Sequence, residues 1–223
     1  MRRIWMAVLG LFIVTAPLAA QRSALREVRD RGSFGLTFVV AEPLGAFRRN
    51  GDYAAGITGF GVVGLGRGTT LGLRIEGDYL VYDSDYRGYG VSTTSQIGTL
   101  AVGPQVTLGR GPLRLYGFAT AGGSLFWSSA SYQGGCGCYD SDTFYLDGDF
   151  TTTTSIGSGL LIMVSRRRPI GIDLGVREVR HDRVQYVPAG AMTENPDGSF
   201  TARRVETPVA MRVFQIGVSI GIR

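Results

Sequence analysis

The sequence predicts an all-β protein, an eight-stranded antiparallel up-and-down barrel that crosses a membrane with its strands. Three observations predict it. Apolar residues alternate with small or polar residues in eight segments of the chain. The connections between these segments are alternately long and short. The mature sequence contains no convincing amphipathic helix of the usual length. Because side chains of a strand alternate between faces, each segment would present one apolar face and one thin or polar face.

The composition agrees with a β protein and excludes some functions. The chain has 223 residues, enough for one domain of ordinary size, and 34 of them are glycine. Its 23 basic residues are all arginine and its 18 acidic residues leave a formal charge of +5. No basic run is interleaved with aromatic residues in the way that nucleic-acid binding requires. The sequence therefore indicates no nucleic-acid partner.

The N-terminus has the pattern of a secretory signal peptide. Arg2 and Arg3 precede the apolar run Ile4–Val14, and small residues stand at Ala19 and Ala20. This run is shorter than the roughly 20 residues that a spanning helix needs, although an uncleaved anchor is the alternative. We expect cleavage after Ala20. Residues 1–20 are thus the predicted signal peptide, residues 21–32 a periplasmic stub, and residues 33–223 the barrel.

The first half of the predicted barrel alternates clearly. In the third strand, Leu71, Leu73 and Ile75 share one face. Glycines loosen the second strand, and the loop before it carries an Asn50–Gly51 turn signal. The four predicted strands of this half are Ser33–Val40, Gly56–Leu65, Leu71–Tyr82 and Thr94–Leu108.

The second half alternates in the same way, but the phase of its first strand stays open. Leu113, Leu115 and Trp127 have one phase there, while Tyr116 and Phe118 suit the opposite face. The last strand alternates from Phe214 to Ile222, and it should pair antiparallel with the segment 34–40 to close the cylinder. The four predicted strands of this half are Leu113–Trp127, Phe150–Ser165, Ile170–His181 and Met211–Arg223.

The order of connections favours a membrane barrel over a soluble sandwich. Loops after the odd-numbered strands are long, such as Ser128–Asp149 and Asp182–Thr207, and the others are tight turns. Short turns at one end and long loops at the other are typical of outer-membrane barrels. Closure is required there because lipid cannot satisfy the hydrogen bonds of an open edge. Apolar side chains would then face lipid and polar ones the lumen.

Mid-strand charges fall in the phase opposite to the apolar residues. Arg74, Glu76 and Asp78 lie in the third strand, and Asp173 and Arg177 in the seventh. In a sandwich they would be exposed to solvent, but in a narrow lumen they must pair, since an unpaired buried charge is strongly unfavourable. We therefore predict a structural charge network in the lumen, with Glu76 and Asp173 contacting Arg74 or Arg177.

Aromatic residues concentrate where the strands meet the long loops. Amphipathic rings prefer the membrane interface, although tyrosine is also common in strands of any kind. The residues are Tyr79, Tyr82, Tyr86, Tyr89, Trp127, Tyr132, Tyr145 and Tyr186.

Taken together, these segments resemble the small eight-stranded outer-membrane barrels of the OmpA-transmembrane-domain and OmpX kind. The residues that carry the resemblance are FGLTFVVAEPLGAF at the start, LGLRIEGDYLVY in the third strand and FQIGVSIGIR at the end. The resemblance implies residence in the outer membrane, contact with its lipid, and assembly by the barrel-insertion machinery. Such barrels usually end in an aromatic residue, whereas this chain ends in Arg223.

Residues with catalytic or ligand-binding chemistry are few. His181 is the single histidine, and Glu178 and Asp182 both have the opposite phase in a regular strand, so we interpret it as a polar residue at the barrel rim. Cys136 and Cys138 would pair as a strained disulfide in an oxidising compartment, with free or intermolecular thiols or a metal site as alternatives.

The loop around the cysteines is acidic. Its four aspartates could attract calcium, but their spacing matches no calcium loop, so a solvated acidic loop is the preferred interpretation. No glycine run resembles a phosphate loop, and the sequence indicates no cofactor and no metal. The aspartates are Asp140, Asp142, Asp147 and Asp149.

The predicted function is that of a non-enzymatic outer-membrane barrel with a lumen filled by side chains. Its role would be structural, or would lie in surface interactions through four long extracellular loops that contact a ligand. Two alternatives stay open: a lipid-modifying hydrolase that uses His181, and a secreted soluble barrel that binds a small apolar ligand.

Overall fold

A computed structural model shows a closed antiparallel barrel of eight strands, as predicted. It describes residues 32–49, 53–65, 70–87, 91–109, 111–133, 141–164, 169–186, 192–194, 200–202 and 204–222. The strands are β1 Gly32–Leu44, β2 Ala54–Gly64, β3 Leu71–Arg87, β4 Val91–Leu108, β5 Leu113–Gln133, β6 Ser141–Met163, β7 Ile170–Tyr186, β8 Met192–Glu194, β9 Phe200–Ala202 and β10 Val205–Ile222. Strands β8 and β9 form a separate two-stranded sheet. No helix in these residues is long and apolar enough to cross a membrane.

Closure of the barrel joins the last strand to the first. Strand β10 pairs antiparallel with β1, so that Phe34 lies opposite Ile220 and Val40 opposite Phe214. The order of paired strands around the barrel is β1-β10-β7-β6-β5-β4-β3-β2. Apart from the seam, each pair therefore joins barrel strands that are consecutive along the chain. The predicted seam between the terminal strands is thus confirmed.

Several strands extend further toward the long-loop end than the sequence predicts. Strand β6 begins at Ser141 rather than Phe150, and β5 continues to Gln133. The predicted loop Asp182–Thr207 contains the end of β7, the β8–β9 hairpin and the start of β10. The prediction is wrong here because apolar residues of these extensions, such as Val184, Tyr186 and Val209, are buried in the lumen, while outward residues such as Gln185 and Glu206 are polar. Backbone pairing with a neighbouring strand continues without the outward apolar alternation that revealed the strands.

The fifth strand has a definite phase. Leu113, Leu115 and Leu125 are exposed on the outside, whereas Tyr116 and Phe118 are buried in the lumen. Two of the predicted interface aromatics, Tyr79 and Trp127, contact each other with ring centroids 6.1 Å apart. Tyr82 and Tyr186 instead point inward and are buried. The side chains of Tyr86, Tyr89, Tyr132 and Tyr145 lie outside the described residues.

The lumen is divided into two halves of different chemistry. The half near the short turns is polar, but the long-loop half is a packed apolar cluster, which departs from the expectation of a uniformly polar lumen. Phe47, in the 3-10 helix Phe47–Arg49 after β1, is fully buried and contacts the rings of Tyr82 and Tyr186 edge-on, at 5.6 and 5.7 Å. The 3-10 helix after β1 therefore places Phe47 in the mouth of the barrel. The cluster comprises Val39, Ala41, Phe47, Ala54, Leu80, Tyr82, Ile97, Phe126, Val179, Val184, Tyr186, Val209, Met211 and Val213.

The seam between β1 and β10 is tested by adding a methyl group to Gly217. A Cβ at this position would meet the carbonyl oxygen of Leu36 and the Cα of Thr37. We expect Gly217→Ala to destabilise the barrel by about 1–3 kcal/mol, because backbone atoms must move to relieve the overlap. The unfolding midpoint in urea, followed by the mobility of the folded and unfolded forms on a gel, measures this.

The control is Gly59→Ala in β2, where an added Cβ meets nothing within 4 Å. This variant should unfold at or slightly above the midpoint of the wild type. Equal midpoints for the two variants would contradict the register between β1 and β10.

Candidate functional site

The mid-strand charges come from opposite walls of the barrel. Arg74, Glu76 and Asp78 are alternate residues of β3, and Arg177 belongs to β7. In the circular strand order, β4, β5 and β6 separate these walls on one side and β2, β1 and β10 on the other. All four side chains point inward and are buried. Any bond between Arg177 and a charged residue of β3 therefore crosses the lumen.

Two arginines and two carboxylates form a continuous chain of ion pairs. Arg74 Nε donates to Glu76 Oε2 at 2.7 Å. The same oxygen lies 3.1 Å from Arg177 Nη1. Arg177 Nη2 donates to Asp78 Oδ1 at 2.7 Å. The order is thus Arg74–Glu76–Arg177–Asp78, and each carboxylate has at least one arginine partner.

Neutral side chains from other strands add hydrogen bonds to these charges. The second carboxylate oxygen of Glu76, Oε1, accepts from Thr120 Oγ1 at 2.8 Å and from Ser155 Oγ at 3.3 Å. Arg74 Nη1 donates to Gln105 Oε1 at 3.1 Å, and Thr58 Oγ1 donates to Asp78 Oδ1 at 2.7 Å. Strands β2, β4, β5 and β6 are thereby tied to the ion pairs. These hydrogen bonds make the buried charges more tolerable, although Arg74 Nη2 and Arg177 Nε have no hydrogen-bond partner among the described residues.

Two aromatic rings enclose the guanidinium of Arg74. Its Cζ lies 4.2 Å from the ring centroid of Phe60 and 4.3 Å from that of Phe118. Both distances are well within the range of cation–π attraction, which is stronger for a desolvated cation. The rings hold the planar group so that its edge points to Glu76 and Gln105.

Asp173 belongs to a second, smaller group of polar residues. Its Oδ1 accepts from Tyr116 Oη at 2.7 Å and from Gln215 Nε2 at 3.1 Å. Among the described residues its bonding partners are this phenol and amide rather than an arginine, which differs from the predicted pairing. Asp173 precedes Arg177 by four residues of β7 and so lies nearer the short turns, where Tyr116 supplies the donor.

His181 is buried in the apolar half of the lumen and not at the rim as the sequence suggested. Its ring packs edge-on against Phe126 with centroids 5.1 Å apart. Neither ring nitrogen has a hydrogen-bond partner among the described residues. Glu178 faces outward and binds Arg180, and Asp182 is exposed and bonds to Thr152. Among the described residues, no acid and no hydroxyl is hydrogen-bonded to His181.

The acidic loop is only partly described. Cys136, Cys138 and Asp140 lie outside the described residues. The predicted disulfide between Cys136 and Cys138 therefore stays a prediction. The side chains of Asp142 and Asp147 also lie outside the described residues. Asp149 accepts from the backbone amides of Phe150 and Gln185, at 2.9 and 2.8 Å. Within the part of the chain that is described, no group of three or more His, Cys, Asp or Glu residues could hold a metal ion.

Several members of the network carry no charge, and sequence reasoning passed over them. Thr58, Gln105, Thr120 and Gln215 occupy inward positions in their strands, as the alternation predicts. The sequence signal that could have identified them is their phase, which places them on the inward face of their strands. Which charge each of them reaches depends on the barrel register, which the pattern of a single strand does not contain.

Comparisons with known proteins give a likeness of fold. No protein-family model and no curated protein matches the chain. A major outer membrane protein from Thermus thermophilus matches with 13% identity, 86% of this chain, 99% of that chain and a TM-score of 0.50. Neisserial surface protein A (NspA) matches with 14% identity, coverage of 86% and 97%, and a TM-score of 0.46.

The outer membrane protease OmpT from Escherichia coli matches with 6% identity, coverage of 90% and 99%, and a TM-score of 0.45. At such low identity, the Thermus structure supports a shared barrel fold and nothing finer. The two lower scores add nothing to that. The chain is thus an eight-stranded barrel similar in fold to a solved outer-membrane protein.

Removal of Arg177 tests the role of the ion pairs. Arg177→Ala leaves Asp78 without its arginine and Glu76 with one arginine instead of two. Breaking a buried pair in this way costs about 3–5 kcal/mol, because a carboxylate stays buried without its counter-charge. The unfolding midpoint of the refolded protein in detergent should fall accordingly.

The matched control is Arg180→Ala, which removes the same type of residue from the exposed face of the same strand. Its midpoint should stay close to that of the wild type, since exposed pairs contribute little. A midpoint for Arg177→Ala that equals the control would contradict a stabilising role for the network.

Removal of one complete ion pair separates the effect of charge from that of shape. The double variant Arg177→Met, Asp78→Asn removes the pair at one end of the chain, keeps similar volumes and leaves Glu76 paired with Arg74. We expect it to be more stable than Arg177→Ala, because no buried charge is left without a partner. If urea unfolding shows the double variant to be the less stable of the two, the cost of Arg177→Ala is not electrostatic.

Proposed function

We propose that this protein is an integral outer-membrane barrel without enzymatic activity, a closed anchor that presents its long-loop end at the cell surface. The observation that carries the proposal is a belt of exposed apolar side chains. Every one of the eight barrel strands contributes to it. Members include Phe38 of β1, Ile57 of β2, Ile75 of β3, Leu100 of β4, Leu115 of β5, Ile156 of β6, Leu174 of β7 and Ile216 of β10.

Such a belt is unfavourable in water. Large apolar side chains remain 36–68% exposed all around the barrel. A contiguous apolar surface of this extent exceeds what soluble monomers normally show. Covering one such side chain with lipid is worth on the order of 1 kcal/mol, given about 1.5–3 kcal/mol for full burial. Lipid around the barrel would remove all the side chains of the belt from water.

The filled lumen supports an anchor rather than a pore. The ion-pair chain crosses the barrel at one level, and the apolar cluster closes the long-loop half above it. Eight strands enclose just enough space for side chains. The same packing disfavours a soluble barrel that carries a small apolar ligand, because the apolar half is occupied by the protein's own side chains.

The enzymatic alternative has little support from the described residues. A lipid hydrolase would need His181 beside a nucleophile and an oriented acid. Instead the ring lies against Phe126 in an apolar cluster. We therefore place the function in the long-loop end, through contact with an extracellular ligand, or in the mechanical presence of the barrel. Export by the N-terminal signal and assembly by the insertion machinery belong to the same proposal.

Fractionation and gel mobility test the membrane location. The protein should be recovered from outer membranes in detergent, and the unheated form should migrate differently from the boiled form. Planar bilayers with the refolded protein should show no steady conductance. Recovery from the soluble periplasm or the medium would overturn the proposal, and lipid hydrolysis abolished by His181→Ala would overturn its non-enzymatic part.

Charge placed at the middle of the belt tests which surface faces lipid. Ile216 is 56% exposed and lies six residues from the end of β10 at Ile222. In a bilayer, Ile216→Arg should destabilise the fold by about 2–4 kcal/mol. Val164, 66% exposed just beyond β6, is the control, because arginine near the interface costs only about 0–1 kcal/mol. Equal costs for the two variants would contradict a lipid-facing belt.

A further inference from the structure

Above the apolar belt, the outer face of the barrel becomes charged on one side. Arg180 lies ten residues from the start of β7 (180 − 170) and Arg212 ten residues from the end of β10 (222 − 212). Ten residues at about 3.3 Å each, tilted by roughly 40°, rise about 25 Å, which is the height of the apolar band of a membrane barrel. Both arginines therefore stand at the headgroup level of the leaflet on the long-loop side.

The opposite side of the barrel is uncharged at this height. The outward residues ten positions from the short-turn ends are Val81 on β3, Gly98 on β4 and Gly123 on β5. On β6 the outward residues at this level are Thr152 and Thr154. The arginines thus form a local feature of the β7–β10 face and not a ring around the barrel.

Carboxylates orient both arginines without covering them. Arg180 donates through Nε and Nη2 to Glu178 Oε1, at 2.8 and 2.6 Å. Arg212 pairs in register with Glu178 on one side and Glu42 on the other, and its Nη1 lies 4.0 Å from Glu42 Oε2. Side-chain exposure is 73% for Arg180 and 48% for Arg212, against 34% and 25% for the two glutamates. The guanidinium groups are therefore outermost.

We propose that Arg180 and Arg212 together bind the phosphate of an anionic lipid headgroup in the outer leaflet. A guanidinium presents its donors in a planar fork that matches two phosphate oxygens, and it is more weakly hydrated than an ammonium group. The glutamates hold the two forks at the edge of the belt, where a lipid phosphate lies once its chains contact Phe214 and Val176 below. This inference rests on the proposed membrane location.

Site-directed photo-crosslinking tests the inference in vesicles. Ala210 faces Arg180 across the β7–β10 pair and lies two residues from Arg212. The protein with Ala210→benzoylphenylalanine is refolded into vesicles of phosphatidylcholine with about 10 mol% phosphatidic acid, and crosslinked lipids are identified by mass spectrometry. We expect phosphatidic acid to be enriched severalfold over its bulk share. The same probe at Leu125, an outward β5 residue near the same rim, should report the bulk share.

Substitutions assign the enrichment to the two arginines. Arg180→Gln with Arg212→Gln should return the Ala210 probe to the bulk share, whereas Arg114→Gln, at the short-turn end of β5, should not. Enrichment that survives the double substitution, or equal enrichment at both probe positions, would overturn the inference. The inference would also be overturned if inorganic phosphate abolished the enrichment and chloride at equal ionic strength did not. The two arginines would then prefer a free anion to the lipid phosphate. Absence of lipid crosslinks at both positions would instead contradict the membrane location itself.

Discussion

The interaction on which the rest of the structure depends is the ion pair between Glu76 and Arg177 across the lumen. It joins opposite walls of the barrel, and neutral donors from the intervening strands converge on the same groups. The lumen is the only interior of a barrel of this size, so every inward-facing charge lies in it. Each charged side chain must therefore be paired or hydrogen-bonded within the wall, as Asp173 is by Tyr116 and Gln215.

Closure also explains why apolar residues occupy two such different places. On the outside they form the belt, and inside the long-loop half they form the cluster that surrounds Phe47. The polar network lies below this cluster, near the level at which the belt is continuous. The barrel thus has an apolar outer surface and a polar centre. The apolar cluster fills the end of the lumen that faces the long loops.

In this arrangement side chains fill the interior of the wall, and the chemical differences lie at its ends. Side chains of the ion pairs and of the apolar cluster fill the lumen. His181 is enclosed by the apolar cluster rather than exposed to a substrate. What varies around the barrel is the rim. There the β7–β10 face carries oriented arginines, while the outward residues described at the same height on β3 to β6 are uncharged and lie near the Tyr79–Trp127 pair. The described parts of the rim therefore differ in charge.

By itself, the sequence determined the fold class, the number of barrel strands and the face on which most strand residues lie, because alternation with a period of two is a local property of the chain. It indicated that Arg74, Glu76, Asp78, Asp173 and Arg177 point inward, but it could not show which of them contact each other. Asp173 pairs with Tyr116 and Gln215 because the register of three separate strands brings them together.

The ends of β5 and β6, the inward turn of Tyr82 and Tyr186 and the burial of His181 were likewise decided only in the tertiary structure. These features depend on pairing between strands and on the space left inside a closed cylinder. Neither quantity is present in the pattern of one strand.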